Sequence, residues 1–176
     1  KESVEARRHL RGELLLKPED PQILLSLGNL LMDNGEARLA TATLKRLTQM
    51  QPKNSRAWIN LAVAHFTRER YHDGIDCCRR ALAADPESLV AIFNLALAHE
   101  HLRKYDQAMD WTRHGLTKEP KDISLQKMEL RLRVLQLRSR IGRLRNPCRT
   151  GHDWTELAYP PACRTCGRSQ TVHAPH

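Results

Sequence analysis

Aromatic residues are scarce in this chain, with Phe, Trp and Tyr making up 5% of 176 residues. Glycine is thin as well, at 8. No Gly-rich phosphate loop is present, and few rings are at hand to stack nucleic-acid bases. Also missing is any run of about 18 uninterrupted apolar residues, the length that a membrane-spanning helix requires. The segment from Lys1 to Arg11 is charged throughout, and no apolar core of a signal peptide follows it. These absences lead us to expect a soluble, cytoplasmic chain, with a signal or anchor upstream of Lys1 left open. Hydrophobic residues, at 40%, are too many for a disordered chain. Basic residues number 29 against 20 acidic ones, a net charge of +9.

Repetition organises what is there. Three windows of 34 residues align without a gap: Pro21 to Asn54, Ser55 to Ser88 and Leu89 to Asp122. Leu24, Trp58 and Ile92 are followed three residues later by Leu27, Leu61 and Leu95, then by the small residues Gly28, Ala62 and Ala96. Further along come Ala40, Gly74 and Ala108, then Leu44, Cys78 and Thr112, and the windows close around Pro52, Pro86 and Pro120. Apolar residues three and four apart give each helix one buried stripe, and small residues let paired helices approach closely. Proline cannot continue a helix, so each unit must turn there. Each unit is therefore read as an antiparallel helical hairpin that buries its face by stacking on neighbours.

This pattern resembles the tetratricopeptide repeat (TPR) family. The resemblance implies an all-α fold, a right-handed solenoid of helical hairpins, and a role in protein–protein interaction. Gly74 and Thr112 depart mildly from the family pattern, and polar Thr112 predicts that the third hairpin is the looser one. Trp58, the largest residue in the stack, is expected to fill the gap between hairpins. Residues 1–20 place Ala6, Leu10 and Pro18 on the second helix of an earlier repeat, so more protein is expected before Lys1, with an N-terminal cap as the alternative.

One long helix, Ile123 to about Arg145, follows the repeats. Ile123, Leu130, Val134, Leu137, Ile141 and Leu144 form a heptad-like seam, and Leu125, Met128, Leu132 and Leu135 form a second stripe roughly opposite. One stripe should cap the third hairpin, and the other is left for docking or dimerisation. Seven basic residues stand in this helix against the single acid Glu129, which is most of the net charge. Lys127, Arg131, Arg138 and Arg145 form one basic stripe. It reads either as a solvated face or as a surface for an acidic protein partner, with nucleic acid and membrane as lesser readings.

The segment 146–176 is too short to bury an adequate core. It carries Cys148-x3-His152 and Cys163-x2-Cys166-Gly167, four soft ligands in two close pairs. Tetrahedral Zn²⁺ takes such a set, and with all four positions filled by protein the zinc would be structural. Iron and no metal are the alternatives weighed. The spacing resembles small bacterial and prophage zinc-knuckle proteins. The vicinal Cys77 and Cys78 read as small apolar residues of a packed helix.

Once the core stripe is assigned, the inward face of the first helices carries Leu25 and Asn29, then Ile59, Asn60 and Val63, then Phe93, Asn94 and Leu97. The apolar members would line a groove. Asn60 and Asn94, one repeat apart, are expected either to stack as a ladder for a peptide backbone, similar to the Asn ladder of O-GlcNAc transferases, or only to bond neighbouring helices. Chaperone-binding TPR domains instead clamp a terminal carboxylate with Lys, Arg and Asn. Asn29 and Asn60 match that clamp, but Leu25, Val90 and Asn94 stand where basic residues are needed, so that ligand is not expected. His65 and His99 take the aromatic site of their repeats and read as core. With no catalytic constellation in view, the expected function is a non-enzymatic scaffold that binds a peptide or helix of a partner and assembles or tethers a larger complex. The alternatives are a regulatory adaptor that delivers a client, as in bacterial TPR proteins ending in a rubredoxin-like metal domain, and a nucleic-acid-associated factor.

Overall fold

A polar residue recurs two positions after Pro18, Pro52, Pro86 and Pro120, at Asp20, Asn54, Ser88 and Asp122. All four cap a helix. Asp20 Oδ1 accepts from Gln22 N at 2.9 Å, Asn54 Oδ1 from Ala57 N at 3.1 Å, Ser88 Oγ from Ala91 N at 3.4 Å and Asp122 Oδ1 from Leu125 N at 2.8 Å. Each side chain satisfies an amide that the first turn of a helix leaves without a partner.

The computed structural model describes residues 2–17 and 19–145. All regular structure among them is helical: α1 (Glu2–Leu16), α2 (Pro21–Asp33), α3 (Ala37–Met50), α4 (Ser55–Thr67), α5 (Tyr71–Ala84), α6 (Leu89–His101), α7 (Tyr105–Lys118) and α8 (Ile123–Arg145). The chain divides into two units after Leu132, and α8 belongs to both. In the first unit α2 pairs with α3, α4 with α5 and α6 with α7, and each pair packs on the next through α3 with α4 and α5 with α6. The helix α1 packs on α2. The first helices also meet one another, α2 with α4 and α4 with α6, so they share one face of the stack. This is the stacked-hairpin solenoid that the repeat implied.

The turns inside the hairpins are tight. Gly35, Glu69 and Arg103 hold φ of 75°, 58° and 58° at equivalent places, and the amides of Glu36, Arg70 and Lys104 return to Leu31 O, His65 O and His99 O at 2.8, 3.0 and 2.9 Å. Close packing follows at Gly28, where an added Cβ would meet Leu44 Cδ2 of α3 at 2.6 Å. Leu24, Leu31, Leu44, Leu47, Ile92 and Leu95 are fully buried.

Three expectations change on contact with the structure. Trp58 packs against the core that the first two hairpins share, but only in part. It is half-buried, donates Nε1–H to Pro52 O at 2.8 Å, and lies under the Arg80 guanidinium at 4.9 Å. An indole with a donor to satisfy sits at an edge where a carbonyl is within reach. Thr112, expected to loosen the third hairpin, is fully buried and donates its hydroxyl to Ala108 O at 2.8 Å, so its polarity is met within the helix. The capping frame also continues one step past the last full hairpin. Gln126 Nε2 donates to Pro120 O at 2.8 Å, as Trp58 does to Pro52, so α8 starts as the first helix of a further repeat. Its Leu125, Met128 and Leu132 are buried, and an added Cβ on Gly115 of α7 would meet Leu125 Cδ1 at 2.7 Å.

Candidate functional site

The face shared by α2, α4 and α6 is only partly filled by its own side chains. Leu25, Ile59, Phe93 and Leu97 are half-buried beside neighbours in the same helices that are fully buried, and Val63 is 38% exposed. Asn29 is exposed and Asn60 and Asn94 are half-buried. Apolar side chains left partly wet, with amides between them, form a surface that can take an apolar segment and bond its backbone.

The amide pair that forms is not the expected one. Asn60 Nδ2 donates to Asn29 Oδ1 at 2.7 Å, joining α4 to α2 at an offset of 31 residues rather than 34. The same offset recurs where Arg131 Nη2 of α8 donates to Glu100 Oε2 of α6 at 2.5 Å. Equivalent positions in successive repeats are therefore not nearest neighbours. Side chains lean toward the N-terminal end of their helix, and three residues is nearly one turn.

Two rows of the face extend into α8 on the repeat period. Leu25, Ile59 and Phe93 are succeeded by Lys127, and Asn29, Val63 and Leu97 by Arg131. Lys127 is exposed. Arg131 is held by Glu100 and also donates to Met128 Sδ at 3.2 Å. The surface is thus apolar and amide-bearing over three helices and basic where α8 begins. Arg138 is exposed in the second unit. The Arg145 side chain and the four expected metal ligands, Cys148, His152, Cys163 and Cys166, lie outside the described residues. Among the described residues no three His, Cys, Asp or Glu side chains gather as a metal set.

An aromatic row escaped the sequence reading. Phe66 and Tyr71 stack with centroids 6.2 Å apart, and Tyr71 stacks on His101 at 5.2 Å with 17° between the rings. Tyr71 Oη also lies 3.4 Å from His101 Nδ1. The row links the second hairpin to α6. Its only sequence signal is a Phe and a Tyr five residues apart with a His one repeat on from the residue after the Phe, too thin a pattern to read without the turn geometry.

The titratable groups inside the stack stay neutral. Burial lowers the pKa of His65, Asp73 opposing it and Arg70 adding to it, and burial lowers that of His99, with Lys104 and Arg79 adding to it. Burial pushes the Cys77 thiol up to about 11 and the Cys78 thiol up to about 12. Neither forms a thiolate at neutral pH, so both pack as small apolar groups.

A tetratricopeptide repeat profile matches residues 25–88 and again 67–122, together more than half of the chain. The chain belongs to the tetratricopeptide repeat family, whose members act as protein-interaction scaffolds. A comparison with curated proteins finds no match. Among solved structures the chain is similar to MamA, with a TM-score of 0.65 and 20% identity over 77% of this chain and 90% of that one. It is similar to the TPR domain of Arabidopsis OM64, with a TM-score of 0.62 and 23% identity over 65% and 95% of the two chains. It is also similar to the first TPR domain of Spaghetti (RPAP3) bound to an HSP90 peptide, with a TM-score of 0.63 and 19% identity over 66% and 93%. No described helix is long and apolar enough to cross a membrane.

Proposed function

We propose that the chain is a non-catalytic scaffold that holds an apolar peptide or helix of a partner protein along the face of α2, α4 and α6, and so tethers that partner within a larger complex. The observation that carries this reading is the Asn29–Asn60 amide pair at 2.7 Å among the half-buried Leu25, Ile59, Phe93 and Leu97. The pair still has amide hydrogens and carbonyl lone pairs to offer a backbone, and the apolar side chains lose little more freedom on being covered. The HSP90 peptide held by the RPAP3 domain supports peptide binding by this fold. The terminal carboxylate is the less suitable ligand here, because Leu25, Val90 and Asn94 supply no positive charge where a clamp needs it. An internal segment with acidic residues toward the α8 end fits better, since Lys127 and Arg131 continue the two rows.

The test is to select peptides from a random library on the full chain and measure their affinity for Asn60→Ala/Phe93→Ala. Anchors in the middle of a face dominate binding, so the double variant should lose about 2 kcal/mol or more while keeping its helicity. Selected peptides that bind the double variant with undiminished affinity would refute the reading.

A further inference from the structure

The helix α8 carries a second surface, which shares Lys127 and Arg131 with the basic end of the first. Ile123, Leu130, Leu137 and Leu144 recur every seven residues, and Lys127, Val134 and Ile141 stand four residues after the first three of them. This is the spacing of one strand of a coiled coil, with the second series at a positions and the first at d. The buried stripe Leu125, Met128 and Leu132 lies elsewhere on the helix. Ile123, Leu130, Val134, Leu137 and Ile141 are between 44% and 65% exposed, a row of large apolar side chains left in water. Leu130 stands where the other first helices have Gly28, Ala62 and Ala96, and at Gly28 that position meets Leu44 of the hairpin's second helix. In α8 a large Leu replaces the small residue, which suits knobs-into-holes packing on a partner helix rather than the close approach inside a hairpin.

Charge decides the occupant. The positions flanking the seam are Ser124, Arg131, Arg138 and Arg145 on one side and Gln126, Arg133 and Arg140 on the other, five Arg and no acid. A second copy of α8 would bring Arg against Arg whether the helices ran parallel or antiparallel, because both arrangements pair flanking positions with one another. The segment 146–176 has three Arg against Asp153 and Glu156, and four prolines, so it supplies no acidic helix. We infer that the exposed seam of α8 is one strand of a heteromeric coiled coil whose other strand is an acidic helix of a different protein, with Leu or Ile on its seam and Glu or Asp at the flanking positions. Because Arg131 already meets Glu100, the pairing relies on Arg138 and Arg140.

The test uses the full chain and two synthetic three-heptad helices with identical Leu seams, one with Glu and one with Lys at every flanking position. The Glu helix should bind at least about ten-fold tighter than the Lys helix, with an affinity that falls as salt rises. Leu137→Asp should lower its binding at least about ten-fold with the chain's helicity unchanged, and Arg138→Glu/Arg140→Glu should reverse the preference between the two probes. Equal affinity for both helices, failure of both to bind, or self-association of the full chain that Leu137→Asp abolishes would each overturn the inference.

Discussion

Gly35, Glu69 and Arg103 hold the same left-handed turn in successive hairpins, yet only the first is the residue type that adopts it freely. A side chain in that region costs about 1–2 kcal/mol, partly offset by the smaller entropy that a non-glycine loses on folding. Glu69→Gly and Arg103→Gly should therefore each raise stability by about 0.5–1 kcal/mol. Urea titration would show this as a higher midpoint at unchanged slope, and a lower midpoint would mean that the side chains contribute more than the turn costs. His65 and His99 set the pH response. Burial lowers both below the ordinary 6.5, so beneath that pH the unfolded chain binds protons that the folded chain does not. Stability is then full above about 6.5 and falls as the pH drops toward the folded values. The urea midpoint should be lower at pH 5.5 than at pH 7.5, and His99→Phe should flatten the difference; a midpoint equal at both pH values would contradict the burial argument.

At the scale of helices, the hairpins were legible because large, small and proline positions recur on one period, and that period is the geometry of the hairpin. The caps lay on the same period at Asp20, Asn54, Ser88 and Asp122 but went unread, because the apolar pattern ends before the last of them acts. Glu129 stands where the frame has Leu27, Leu61 and Leu95, so the repeat looked finished at Asp122 although its cap still starts α8. Replacing Asn54 or Asp122 by Ala should cost about 1 kcal/mol each, measured by thermal unfolding. Equal losses would mark α8 as part of the stack's cooperative unit, and no loss for Asp122→Ala would separate it. The spacing of Cys148, His152, Cys163 and Cys166 carries its own proposal. Protein purified without chelators should hold about one zinc per chain and lose it in Cys163→Ser, because a Cys₃His set needs all its ligands. Elemental analysis well below that ratio would count against zinc.

At the scale of the molecule, the face proposed for binding could be listed from sequence because it is what remains of each first helix after the core stripe is removed. Which of its side chains meet could not, since the repeat period of 34 names equivalent positions while the bonds run at 31. That shift placed the amide pair at Asn29 and Asn60 and brought Glu100 to Arg131 at the basic end. The central claim is that partners lie along the first helices and not along the outer ones. Val63 of α4 and Leu39 of α3 are both exposed apolar positions, at 38% and 47%, on the two kinds of helix. A benzophenone side chain at each, in full chain carrying a selected peptide, tests the claim most directly. The account predicts peptide crosslinked from position 63 and none from position 39; crosslinking from position 39 with none from position 63 would contradict it.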